Sequence, residues 1–179
     1  LPHLNPGILD AKDITSLREV SGSMGIMLES SSDRLMKKGN CHHGSPDKAP
    51  SVRLSTIDEA GRQKVPFTTG ILIGIGETKR ERIETLLALR KSHEKYGHIQ
   101  EIIVQNFRAK SNTLMEYSEE PSLEDLQWTI SVARLIFGSD MSIQAPPNLS
   151  YDDSGKLIEA GINDWGGVSP VTPDHVNPE

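Results

Sequence analysis

Cysteine is nearly missing from this sequence: its 179 residues include one, Cys41. An internal disulfide is therefore excluded, and the reducing cytoplasm is the expected location. No apolar run reaches the ~18 residues that cross a bilayer, so no membrane partner is expected. Positive charge is in deficit. The formal net charge of -6 argues against nucleic acid as a partner. No segment of sequence repeats. What is there has globular composition, 35% hydrophobic and 25% charged, and is long enough for one domain, 1–179, with its own core.

In place of a sequence repeat there is a repeat of pattern. Short apolar runs at 24–28, 67–75, 100–107, 141–145 and 162–165 read as strands. Longer amphipathic runs at 11–18, 50–62, 79–96, 123–137 and 151–159 read as helices. Thr78 and Glu81 form a T-x-x-E capping box, and Gly97 stands where a left-handed C-terminal cap belongs. Ser122 caps the helix that Gly138 closes, and Gly161 follows the next one. In 79–96 the apolar face is read as Ile83, Leu86, Leu87 and the aliphatic stem of Arg90. Strand–helix alternation with apolar strands means α/β architecture: a parallel sheet covered by helices. An open doubly wound sheet and a barrel both satisfy that pattern. A complete (β/α)8 barrel takes ~250 residues, so on the barrel closure five strand units would make a partial TIM-type barrel with outer helices.

In either closure the working end is the C-terminal rim of the strands, and every rim segment here is polar. The first strand runs into Glu29, Ser30 and Ser31, the second into Gly74, Ile75, Gly76 and Glu77. The third ends in Gln105, Asn106 and Arg108. The fourth carries Gln144 before Pro146, Pro147 and Asn148. The fifth holds Asn163, Asp164 and Trp165. Such a rim suits a ligand rich in hydrogen-bonding groups. Gly74 and Gly76 allow close backbone approach, and the helix after Thr78 aims its N-terminus there. A dinucleotide fingerprint is not met, because Lys79 stands where G-x-G-x-x-G needs its third glycine. By spacing alone, a nucleotide-like ligand and a plain tight turn are both open. Cys41, His42 and His43 are adjacent and lack ligand spacing, so no metal site is assigned to them. Asp47 and Lys48 read as a helix-starting turn or as part of a substrate loop.

GILIGIGET, beginning at Gly70, resembles the fifth-strand motif G-x-I-x-G-x-G-E of radical S-adenosylmethionine enzymes of the biotin-synthase-like type. The resemblance implies that Gly74, Ile75, Gly76 and Glu77 lie at the adenine of the cofactor. MGIMLESSS resembles the ribose-binding strand, which implies that Glu29 meets the ribose hydroxyls. VRLSTIDEAGR resembles the helix that offers an arginine to the methionyl carboxylate, here Arg53. LPHLNPG, HHGSPDK, IQEIIVQNFRAK, SIQAPPNLS and INDWGGVSPVTPDHVNPE extend the likeness over nearly the whole chain. Together they are similar to the branch of that family that forms 7,8-didemethyl-8-hydroxy-5-deazariboflavin.

That resemblance implies a lyase whose cofactors are S-adenosyl-L-methionine and a 4Fe-4S cluster. Its substrate is an adduct of a tyrosine-derived hydroxybenzyl group with 5-amino-6-ribitylaminouracil. A 5′-deoxyadenosyl radical takes a hydrogen atom from the adduct, and ring closure expels ammonia. A partner subunit or second domain makes the adduct, and a reductant serves the cluster. Asn106, Arg108, Gln144, Asn148 and Asp164 are the candidates for the pyrimidine or ribityl part of the substrate. Trp165 is equally a packing residue or a stacking platform. One departure stands out: the family's C-x3-C-x2-C cluster motif is absent, and Cys41 does not supply it. The chain is expected to be the C-terminal two-thirds of a barrel, truncated at both ends and inactive alone. Another biotin-synthase-like enzyme and a non-catalytic nucleotide-binding fragment are the alternatives.

Overall fold

The computed structural model describes residues 1–149 and 153–166. Six parallel strands among them form one sheet: β1 (His3–Leu4), β2 (Ser23–Gly25), β3 (Phe67–Ile73), β4 (Ile99–Asn106), β5 (Ser142–Ala145) and β6 (Asp164–Trp165). Five helices occupy the crossovers: α1 (Ala11–Arg18), α2 (Pro50–Arg62), α3 (Lys79–Tyr96), α4 (Leu123–Phe137) and α5 (Ser154–Ala160).

Strand order decides between the two closures. The spatial order is β1-β2-β3-β4-β5-β6, the order of the chain. Each crossover therefore advances one strand in the same direction, and α1 to α5 pack side by side as one layer. A doubly wound sheet reverses direction midway and puts helices on both faces. Winding without reversal leaves the second face bare and curls the sheet, as in (β/α)8 barrels.

The strands alternate accordingly. Met24, Ile26, Leu28, Phe67, Ile71, Ile73, Ile102, Val104, Ile143 and Ala145 are buried in one core with Ile14, Ile57, Leu86, Leu89, Leu126, Ile130 and Leu157 from the helices. Each such side chain contributes ~1.5–3 kcal/mol of burial. From the opposite parity, Gly25, Thr68, Leu72, Glu101, Ile103, Gln105 and Gln144 line a cleft of about 1010 Å³.

Helix ends follow local chemistry. Thr78 and Glu81 form a reciprocal capping box, Gly97 caps α3 at φ 65, and Ser122 accepts from Asp125 N–H at the start of α4. Several expectations need correction. β1 is an additional strand, held in register as His3 pairs with Ser23; two residues between prolines carry no periodicity. β2 stops at Gly25 because the chain leaves the ladder, rejoining it at a bridge between Glu29 and Ile71. β3, β4, β5 and β6 differ from the expected runs by one or two residues at their ends. α5 starts at Ser154, three residues later than expected, with Tyr151 and Asp152 outside the described residues. The buried face of α3 is Arg82, Thr85, Leu86, Leu89 and Ser92, whereas Leu87 is 46% exposed. Polar partners rotate the helix: Arg82 meets Glu77, Thr85 meets Ser31, and Ser92 meets Asp58.

Candidate cofactor and substrate cleft

Glu29 sits where the chain re-engages β3. Its N–H donates to Gly70 O at 3.0 Å, and its own carbonyl accepts from Leu72 N–H at 3.0 Å. These bonds hold Glu29 at φ 63, a left-handed conformation that costs a non-glycine residue ~1–2 kcal/mol. Strain of this kind collects at working sites. The side chain enters the cleft wall beside Lys48 and Arg53.

Three basic groups converge on its carboxylate. Arg53 Nη1 donates to Oε1 at 2.8 Å, Lys48 Nζ pairs with the same oxygen, and His42 Nε2 lies 3.0 Å from Oε2. Arg53 is positioned from α2, its Nε donating to Asp47 O at 2.9 Å and its Nη1 to Met27 O. Lys48 is placed by the turn Pro46–Lys48. Burial pushes the Glu29 carboxyl up, but the hydrogen bonds from His42 and Lys48 overcome it and hold the group at about 2. The neighbouring Cys41 and then Glu29 raise His42 to about 9. At neutral pH one carboxylate thus faces three cations, with the exposed Asp47 carboxylate 3.7 Å from Arg53. A carboxylate offers about four acceptor positions; three are taken. One remains for a ligand hydroxyl, and the surplus positive charge favours a ligand carboxylate.

The glycine loop lies on the same rim. Arg34, five residues beyond Glu29, donates to Gly76 O at 2.7 Å and pairs with Glu81 at 2.8 Å. Glu77 turns into its own loop: its carboxylate accepts from Gly74 N–H at 2.9 Å, Ile75 N–H at 2.8 Å and Arg82 Nε at 2.7 Å, and is 2% exposed. A methyl group on Gly74 would lie 2.4 Å from Pro121 Cδ, while one on Gly76 would meet nothing within 4 Å. Residues 74–77 are not among those lining the cleft, whose share of β3 ends at Leu72.

Across the cleft stand Asn106, Arg108 and Gln144. Asn106 is 4% exposed, with Nδ2 3.5 Å from Leu149 O. Arg108 donates from Nε to Leu149 O at 3.1 Å and pairs with Glu120 at 2.6 Å, so it ties two rim loops together. Gln144 Nε2 donates to Asp164 Oδ2 at 3.0 Å, through which Asp164 is coupled to the wall without lining it. Asn148 lies in the turn Pro147–Leu149, its side chain outside what the structure describes. Trp165 is 37% exposed. Sequence reasoning did not place His42 here, and it left Lys48 open between a helix-starting turn and a substrate loop. Their signal was the HHGSPDK stretch, one turn-rich loop after the acidic strand end.

A S-adenosylmethionine-like ligand fits the cation-rich Glu29 wall. A 4Fe-4S cluster does not fit the residues present: Cys41 is the one thiol, and no group of three His, Cys, Asp or Glu among the described residues is placed to hold a metal.

No protein-family model matches the chain. It is 59% identical over 181 residues to FO synthase of Nocardia farcinica, covering 100% of this chain and 21% of that protein. It is 51% identical over 179 residues to 7,8-didemethyl-8-hydroxy-5-deazariboflavin synthase of Methanothermobacter thermautotrophicus, covering 100% of this chain and 54% of that protein. The chain thus spans between a fifth and about half of the length of these relatives. Among solved structures it resembles HydG, a maturase of the [FeFe]-hydrogenase, at a TM-score of 0.77 and 18% identity over 91% of this chain and 36% of that one. It also resembles methylornithine synthase, at a TM-score of 0.75 and 22% identity over 91% of this chain and 46% of that one. These likenesses bear on fold; the sequence relatives bear on descent. Along its whole length the chain is homologous to one segment of the FO synthases, folded as part of a (β/α)8-type barrel like those of HydG and methylornithine synthase.

Proposed function

We propose that this chain forms part of the active-site wall of a cytoplasmic radical S-adenosylmethionine lyase that makes 7,8-didemethyl-8-hydroxy-5-deazariboflavin. The observation that carries the reading is Glu29, strained, largely withdrawn from solvent and held by Lys48, Arg53 and His42 at the edge of a large cleft. Arg53 and Lys48 bring the positive charge that a methionyl carboxylate needs, and Glu29 keeps an acceptor position for a ribose hydroxyl. Glu77 and Gly74 shape the loop, with Ile75 buried beneath it, whose open side at Gly76 is the adenine contact. S-adenosylmethionine, when bound, supplies the hydrogen-abstracting chemistry. The walls position both ligands and exclude water. Asn106, Arg108 and Gln144, with Asn148 and Asp164 nearby, face the hydroxybenzyl–ribitylaminouracil adduct, and ring closure releases ammonia. The cluster ligands, the group that makes the adduct and the reductant lie outside this chain, and the chain alone is inactive. No helix among the described residues is long and apolar enough to cross a membrane.

The test is product formation. Full-length protein carrying this chain, reduced anaerobically with S-adenosylmethionine and the adduct-forming components, is expected to yield a fluorescent deazaflavin and ammonia. Cofactor cleavage without a deazaflavin would instead indicate a different radical S-adenosylmethionine enzyme.

A further inference from the structure

Between β4 and α4, residues 109–120 bring their two ends together on one carboxylate. Glu120 accepts from Ala109 N–H at 2.9 Å and from Arg108 Nη1 at 2.6 Å. Arg108 is fixed in turn to Leu149 O, 3.1 Å from its Nε. Behind Glu120, Pro121 lies against Gly74, where an added methyl would be 2.4 Å from its Cδ. The base of the segment is therefore pinned from both sides.

The body of the segment is not. Among the described residues, the hydrogen bonds of 110–119 all stay within it. Thr113 Oγ1 donates to Lys110 O at 2.8 Å and Asn112 N–H to Glu116 Oε2 at 3.2 Å. Glu116 N–H donates to Thr113 O at 3.2 Å and Ser118 N–H to Met115 O at 3.0 Å. A loop closed at its base and bonded to itself is an Ω-loop, able to move as one piece. Its lack of bonds to the rest of the molecule puts it at the low end of local stability.

Its tip holds large apolar side chains in water: Leu114 is 107% exposed and Tyr117 94%. Thr113, Leu114 and Met115 border the cleft, whereas Tyr117 does not. A fixed rim gains nothing from apolar groups in water; a loop that turns inward over a filled cleft buries them. Near the base, Lys110 Nζ is buried with no partner among the described residues, a cost that the open loop carries.

We propose that residues 109–120 are a lid. Hinged at Arg108 and Glu120, the loop folds Leu114 and Tyr117 over the cleft once it is filled and shuts out water. The inference rests on the reading above for the ligands that fill the cleft; the hinge and the tip are read from the loop itself.

The experiment uses full-length protein, with S-adenosylmethionine and 7,8-didemethyl-8-hydroxy-5-deazariboflavin as probes and calorimetry to establish that they bind. Chymotrypsin, which cuts after large apolar residues, is expected to cleave the ligand-free protein after Leu114 and Tyr117, and to do so roughly tenfold more slowly with both probes bound. Tyr117→Ser is expected to release the deazaflavin, followed by its fluorescence, roughly fivefold faster with an unchanged thermal midpoint. A fixed rim would not show this, because Tyr117 stands off the cleft when the loop is open. Bound probes that leave both cleavage rates within about twofold overturn the lid and leave the functional reading intact. So does an unchanged release rate in Tyr117→Ser. Resistance to cleavage at both bonds without ligand also overturns it, since the tip is then covered by the rest of the polypeptide. If neither probe binds, the reading above fails and the lid with it.

Discussion

Arg53 and Glu29 meet at 2.8 Å with 8% and 11% of their side chains exposed, one from the first turn of α2 and the other from a left-handed residue after β2. The pair joins two elements 24 residues apart and leaves both charges on the wall of the cleft. It is a hinge point between stability and binding, and the two roles separate by substitution.

Glu29→Gln leaves Arg53 buried with only the exposed Asp47 carboxylate, 3.7 Å away, as counter-charge and is expected to cost ~3 kcal/mol, since breaking a buried pair strands the remaining ion. The same change is expected to weaken S-adenosylmethionine binding to the full-length protein beyond what lowered stability explains. Denaturant unfolding read beside cofactor titration at 10 °C below the midpoint would expose a purely structural role, as unchanged affinity in the folded fraction.

The pH profile should show two limbs. The Glu29 carboxyl falls from an ordinary 4.5 to about 2 on folding, so its stabilisation is complete above 4.5 and is lost as pH falls toward 2. The His42 imidazole rises from 6.5 to about 9, so its stabilisation is complete below 6.5 and is lost as pH climbs through 9. The cluster is strongest between those two ordinary values. Thermal midpoints measured across pH should retain the acid limb in His42→Leu, through Lys48 and Arg53, and lose the alkaline limb; an unchanged alkaline limb would assign it elsewhere.

The two loop glycines should respond differently. Gly74→Ala places a methyl 2.4 Å from Pro121 at φ 86 and is expected to cost ~3 kcal/mol from combined overlap and strain. Gly76→Ala, at φ 97 with open space around it, is expected to cost only ~1 kcal/mol. Gly76→Ala is therefore the cleaner probe of the adenine proposal. Equal destabilisation of the two variants in chemical denaturation would mean that Pro121 yields to the added methyl.

Inside the sheet, Gly70→Ala would put a methyl 2.0 Å from Ile103 O, against backbone that has no room to yield. The β3–β4 pairing is the longest in the sheet. This variant is expected to lose several kcal/mol and to accumulate as insoluble protein. Recovery of a soluble variant with the parent's melting temperature would show that the ladder tolerates a shift there.

The sequence was most legible at helix ends, where the signal is local. The bounds of α3 and α4 follow from residues such as Thr78, Glu81, Gly97 and Ser122, each acting within four positions of itself. Strand ends were less so, because a ladder stops where its neighbour stops, and Gly25 gives no hint of Thr68. The face of α3 was misread because hydrophobicity ranked Ile83 and Leu87 above Arg82, Thr85 and Ser92. Those polar residues are buried since Glu77, Ser31 and Asp58 wait for them. In the cleft, Glu29 and Arg53 were legible as a strand-end acid and a helix-face arginine. His42 was not, and the loop reading of Lys48 did not name Glu29 as its partner, because no period links a turn to a carboxylate 13 or 19 residues earlier.

Residue order alone settled the α/β class, the helices and the polar character of the strand ends, for these depend on contacts within a few residues. The triple hold on Glu29, the inward turn of Glu77 and the choice of barrel over open sheet, which the pattern of apolar runs left undecided, emerged only with three dimensions. Each depends on which distant segments the sheet brings side by side.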